Sequence, residues 1–230
     1  MANRRDVSGT TCAEGGCPGV ALLTDTNCWA HADGQDLEAA IERLRETGRL
    51  DARGVSISEQ LLDLLLANLP QDDQDHVVLT DAHFEHATFQ GDARFTAATF
   101  QGAASFNEAT FQGDARFTET TFHGAAWFSG AAFEKDAHFS QATFYGAAWF
   151  SGTTFQRHAR FNEAAFQRDA QFDRATIQRD GWFLRATFHR AQQFGRCWCA
   201  KGCCSTRQCS MSVSRSRSAP LPCAVGGRAS

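Results

Sequence analysis

From residue 82 to 194 the large apolar positions fall on one beat. Phe stands at 84, 89, 95, 100, 106, 111, 117, 122, 128, 133, 139, 144, 150, 155, 161, 166, 172, 183, 188 and 194, and Ile177 fills the one missing step. Steps of five and six alternate without a slip. Two residues before each of the 21 beats stands Ala in 17 cases; the exceptions are Thr120, Thr153, Gly181 and Gln192. In an extended segment Ala-x-Phe puts Ala and Phe on one side and x on the other. The polar or Gly residues that follow are enough to turn a corner. A helix fails this pattern, because a step of five rotates the next Phe by about 140° and leaves no single stripe. Each beat therefore predicts one short strand and one corner.

The outward residues set the size of the coil. Every fourth beat gives a column: Arg94, Arg116, His138, Arg160, Trp182 in one and Ser105, Trp127, Trp149, Gln171, Gln193 in the next. The other two columns are almost all Thr. "QGDARFT" recurs at 90–96 and 112–118, and "GAAWFSG" at 124–130 and 146–152, both at an offset of 22. These repeats predict an all-β solenoid of five four-sided coils of 22 residues, roughly 24 Å tall at the usual strand spacing of about 4.8 Å.

The stretch 82–194 resembles the pentapeptide-repeat family, whose motif is A-[D/N]-[L/F]-x-x. The resemblance implies a right-handed, four-sided parallel β-helix with the small residue and the Phe pointing inward. The chain departs from that motif in two ways. Thr, Arg, Trp or Ser stands where the family has Asp or Asn, and every second unit carries an extra residue, expected to bulge at two of the four corners.

Ahead of the repeat, two helices are predicted as a cap. "DLEAAIERLRETG" (36–48) puts Leu37, Ile41 and Leu44 on one face and ends at Gly48. "SISEQLLDLLLANLP" (56–70) offers Ser56 and Glu59 as a capping box and Pro70 as a stop. Val78, six residues before Phe84, is expected on the beat. The domain reading is an arm over 1–35, the helices over 36–77, the solenoid over 78–194 and a tail over 195–230.

Chemistry is sparse. Cys12-x4-Cys17-x10-Cys28-x2-His31 offers three thiols and an imidazole, a donor set for one structural Zn²⁺. Residues 1–35 have few large apolar side chains, so a metal would supply stability that a core cannot. Trp127 and Trp149 are expected outward, one coil apart, with Tyr145 at a nearby corner; exposed aromatics of this kind mark contacts or serve as structural cover. No nucleophile elbow, phosphate loop or paired-carboxylate motif occurs, so no enzyme is expected.

Charge refines the partner. The net charge of −4 divides into −9 over residues 1–81, −1 over 82–194 and +6 over 195–230. The tail abandons the beat, loses every acid and holds six of the nine Cys. Disorder, a metal or nucleic-acid arm, and a shifted reading frame are its three readings. No apolar segment follows Arg4 and Arg5, and "LLDLLLANL" is too short to span a bilayer, so the chain is expected to be soluble and cytoplasmic. The expected function is a non-catalytic scaffold presenting a β-helix face to a protein partner, with neither nucleic acid nor membrane. The resemblance supplies an alternative, a DNA mimic that binds gyrase, but such mimicry needs an acidic rod and the repeat is near neutral.

Overall fold

In the computed structural model, residues 10–22 and 27–190 are described, together with the backbone of Gln192–Gln193, Trp198–Cys199 and Ser212–Val213. The chain forms a parallel β-solenoid of about five coils with two helices ahead of the repeats. Among the described residues its strands build four sheets, three of seven strands and one of five. Within the repeat partners lie 22 residues apart, as in Phe100↔Phe122↔Phe144 and Trp127↔Trp149.

The Phe side chains fill the interior. From Phe84 to Phe188 each stacks on its counterpart one coil away, as in Phe111 on Phe133 at 4.6 Å and 3°. From Phe84 to Phe183 each also meets a neighbouring column edge-on, as in Phe117 against Phe128 at 5.5 Å and 84°. Both geometries suit the ring quadrupole, and the strand spacing enforces the first. Departures from the pattern are accommodated singly. Thr120 and Thr153 are fully buried, and their hydroxyls donate to Phe95 O at 2.6 Å and Phe128 O at 2.7 Å. Ile177 and Gly181 are coupled, since a Cβ on Gly181 would lie 2.8 Å from Ile177 Cδ1.

The two kinds of corner solve different problems. In the five-residue corners the second residue after Phe adopts positive φ, for example His86 at 58°, and Ala87 N–H donates back to Phe84 O at 3.1 Å. These are type II turns. The six-residue corners carry the extra residue, and in one of their two columns an Asp side chain reaches the next coil. Asp92 Oδ1 accepts from Asp114 N at 3.0 Å and Asp114 Oδ1 from Asp136 N at 3.3 Å. The carboxylate so satisfies a backbone donor that the strand ladders miss.

The start of the solenoid is composite. Helix α1 spans Gly34–Thr47 and closes on Gly48, whose φ of 62° allows its N–H to reach Leu44 O. Strand β1 (Arg49–Asp51) pairs with Asp81–His83, and β2 (Ser56–Ile57) pairs with Thr88–Phe89. Helix α2 (Glu59–Ala67) follows, and β3 (Val78–Leu79) pairs with Thr99–Phe100. Taken in chain order, α2 stands on the side where the five-stranded sheet has no earlier strand. Arg94, on the first strand of that sheet, pairs there with Glu59 and Asp63.

Two expectations need correction. The second helix is capped by Ser58, which accepts from Leu61 N at 3.1 Å, and not by Ser56. Ser56 belongs to β2 because Ile57, 1% exposed, takes an inward beat opposite Phe89, and the ladder bonds outweigh a local cap. Likewise Leu79, fully buried, holds the beat opposite Phe100, while Val78 faces outward. The step from Leu79 to Phe84 is thus five.

In the tail, Trp198–Cys199 pairs with Thr176–Ile177 and Ser212–Val213 with Thr187–Phe188. The rest of 195–230, on which the disorder and frame-shift readings fall, lies outside the described residues, as does Phe194.

Candidate metal centre and aromatic face

The arm before α1 folds around its cysteines. Thr11 and Val20 form an antiparallel bridge, closed by Cys12 N–H to Gly19 O at 2.8 Å. This brings Cys12 and Cys17 to one side. A turn at 28–32, in which His31 N–H donates to Cys28 O at 2.9 Å, brings Cys28 and His31 to meet them. The three Sγ atoms and a His31 ring nitrogen all lie within 4.8 Å of one another. Cys12 and Cys28 are buried, Cys17 half-buried and His31 exposed. Four residues spread over 20 positions are thereby gathered into one cluster that can hold a metal ion.

The spacing of the donors tests the fit. Tetrahedral bonds of about 2.3 Å to sulfur and 2.0–2.1 Å to nitrogen place the donors roughly 3.6–3.8 Å apart. Cys17 Sγ lies 3.7 Å from Cys28 Sγ, and His31 Nδ1 lies 3.4 Å from Cys12 Sγ and 3.5 Å from Cys28 Sγ. Backbone N–H groups aim at the sulfurs as they do at thiolates: Gly19 N to Cys17 Sγ and Cys28 N to Cys12 Sγ, both 3.4 Å. Burial raises the Cys12 pKa, but the Cys28 backbone donor, a second backbone contact at Glu14 and the His31 ring outweigh it and bring the thiol down to about 7. Burial, reinforced by the neighbouring Cys17 and Cys12 sulfurs, pushes Cys28 up to about 12. A bound cation would reverse that repulsion and hold all three sulfurs as thiolates.

The aromatic candidates lie on the solenoid. Trp127 and Trp149 are in register on one sheet and half-buried. Tyr145, 48% exposed, stands at the corner leading into that sheet. It stacks on His123 at 5.1 Å and 5°, and the two share a column at offset 22. Gly124, Ala125, Gly146 and Ala147 lie in sequence between the His123–Tyr145 pair and the two Trp, so small residues separate the two aromatic sets. Trp149 Nε1 is buried with no hydrogen-bond partner among the described residues.

The arginine column is tied down. Arg116 pairs with Asp92 at 2.8 Å and Arg160 with Asp136 at 3.1 Å, both within the solenoid. His138 lies between them, with Arg160 Nη1 3.0 Å from its Nδ1. Burial and the Arg160 charge lower its pKa. At the next corner a shallow cavity of about 280 Å³ is lined by Glu134, Lys135, Gln156, Arg157, Gln178 and Arg179. Among the described residues no helix is long and apolar enough to cross a membrane.

A family model described as pentapeptide repeats (9 copies) matches residues 75–121, 106–154 and 117–164. No curated protein and no solved structure matches the chain.

Proposed function

We propose that this chain, whose residues 75–164 are pentapeptide repeats, is a non-catalytic scaffold that binds a protein partner through the aromatic face of its β-helix. The observation that carries the reading is the grouping of Trp127, Trp149, Tyr145 and His123 on one sheet and its adjoining corner. Large aromatic side chains with exposed area supply much of the energy of protein contacts. The remaining outward columns are mostly Thr, or Arg already paired to acids, and Trp182 among them is taken up by His158, stacked at 5.0 Å, and by the Arg160 guanidinium, so they offer a partner less. That interleaving of Arg with Asp also supports the scaffold reading over DNA mimicry, which needs unbroken acidic rows. The test is capture of a partner by wild-type protein, repeated with Trp127→Ala/Tyr145→Ala. Loss of capture at unchanged melting temperature is the expected result. Undiminished capture would move the contact elsewhere, and inhibition of gyrase supercoiling at micromolar protein would favour the mimic.

The Cys12, Cys17, Cys28 and His31 cluster is proposed to hold one structural Zn²⁺. The donor set and its near-tetrahedral spacing support this. Four protein ligands fill the shell and leave no position for a reacting water, so the metal's part is to fold the arm. Elemental analysis should find one zinc per chain, absent from Cys28→Ser.

A further inference from the structure

The three sulfurs of the arm are not equally accessible. Cys12 is 7% exposed and Cys28 fully buried, whereas Cys17 is half-buried, so Cys17 is the sulfur an outside reagent meets first. Its Sγ lies 3.7 Å from Cys28 Sγ, in van der Waals contact. A disulfide is about 2.05 Å long, so a shift of roughly 1.7 Å joins the two.

Gly19 keeps that pair together. Its N–H aims at Cys17 Sγ at 3.4 Å, and a Cβ on it would lie 2.8 Å from Cys28 Sγ. The absent side chain lets both sulfurs close on one point. Cys12 is engaged elsewhere: its Sγ meets the His31 ring and the Cys28 N–H, both at 3.4 Å.

We propose that Cys17 is an oxidation site for a peroxide, and that its oxidation joins it to Cys28 and discharges the zinc. The inference rests on the zinc occupancy proposed above and adds to it a chemical trigger. Ligated sulfurs are thiolates. The Cys17 sulfur attacks one oxygen of hydrogen peroxide; the O–O bond breaks, hydroxide leaves, and Cys17 becomes a sulfenic acid. The Cys28 sulfur then attacks the Cys17 sulfur. The S–S bond forms, the S–O bond breaks, and a second hydroxide leaves. Two thiolates give up two electrons, one peroxide takes them, and both hydroxides gain a proton from solvent to become water. Cys12 and His31 are the ligands left, and Zn²⁺ is not kept on two where a structural site has four.

The change falls at the end of the scaffold. The arm lies on the first coil, where Val20 N–H donates to Arg53 O and Trp29 Nε1–H to Asp51 O, both at 2.9 Å. Val20 stands inside the loop that a Cys17–Cys28 bond would close, and Cys12 and His31 stand outside it. Oxidation therefore exchanges a four-point anchor for a single link.

The experiment uses the full chain with the six Cys of 195–230 replaced by Ser, so that the arm holds every thiol. The zinc-loaded chain is treated with a small excess of hydrogen peroxide, and zinc release, free thiols and the disulfide are followed together. Cleavage after Glu14 and before Asp25 separates the three Cys for mapping. The expected result is release of the one zinc, loss of two of the three thiols at the same rate, and a mapped Cys17–Cys28 bond with Cys12 still free. A dithiol reductant and added zinc should restore the starting state. Cys17→His and Cys12→His both leave two sulfurs and two imidazoles, a set that binds zinc. Cys12→His should still lose its zinc to peroxide, and Cys17→His should keep it; the reverse order overturns the proposal. If neither variant takes up zinc, the bond mapped in the parent chain decides. A parent chain that takes up no zinc overturns the metal reading, and this proposal with it. Zinc that binds and stays through peroxide overturns this proposal alone, as does a mapped bond containing Cys12, or a sulfinic acid in place of the disulfide.

Discussion

In the solenoid a buried side chain meets a copy of itself 22 residues away; among the described residues of the arm, 10–22 and 27–32, no contact repeats. Phe111, Phe133 and Phe155 stack in one column at 4.6 and 4.9 Å, and removing one would leave the pattern on either side intact. Among its described residues the arm has one bridge, two dissimilar turns and one cluster of four ligand atoms. The difference is one of redundancy. Stability in the repeat is a sum over nearest-neighbour coils, whereas stability in the arm hangs on a point where four residues converge. Between them lies the composite first coil, where β1, β2 and β3 keep the ladder and α2 takes the remaining side.

The largest effect expected from any single change lies in the repeat. Phe139→Asp puts an unpaired carboxylate among rings stacked at 4.9 Å on both sides, and should abolish cooperative unfolding altogether. A melt that survives would overturn the assignment of the Phe columns to the core. Cys28→Ser should be smaller and confined: zinc lost and Trp29 fluorescence changed, with the far-ultraviolet β signal retained. Loss of that signal as well would erase the contrast between the two regions.

Thr120→Val tests a departure inside the repeat. It removes one of two donors to Phe95 O, the other being Ala98 N–H at 3.1 Å, and keeps the shape, so unfolding should cost about 0.5–1.5 kcal/mol less, read from denaturant melts. A neutral or stabilised variant would mean that the Ala98 N–H alone satisfies the carbonyl. The pH dependence of His138 is weaker still. Burial and Arg160 depress its pKa in the fold, so below about 6.5 the unfolded chain takes up the proton first. Stability should therefore fall as pH drops from about 6.5 towards the folded value, and His138→Gln should flatten that slope. An unchanged slope would assign the acid sensitivity elsewhere. Smallest of all is Arg116→Ala, which removes a half-exposed pair to Asp92 and should move stability by no more than about 0.5 kcal/mol.

How much was legible depends on whether a residue answers to its neighbours in sequence or in space. The Phe beat, the inward Ala and the 22-residue coil follow from the chain alone, because each strand repeats the environment of the one before. Gly48 as the stop of α1 is equally local, since positive φ after a helix suits Gly. Ser56 and Val78 misled for the opposite reason. Ser56 sits in a sound local capping box, and Val78 lies at an allowed step from Phe84. Their roles were decided by Phe89 and Phe100, the partners of Ile57 and Leu79 in the neighbouring coil. The His123–Tyr145 stack was readable from the shared column but carried no composition signal of its own.

By itself the sequence determined the solenoid, its coil length and which residues face inward, because a period repeated over more than one hundred residues leaves one register in which every Phe is buried. It also named the four possible ligands. Only the tertiary structure decided that Cys12, Cys17, Cys28 and His31 converge within 4.8 Å, that α2 replaces a strand, and that the arm closes over Asp51 and Arg53. Such contacts occur once, between segments with no repeated spacing, and a single closure leaves no periodic trace along the chain.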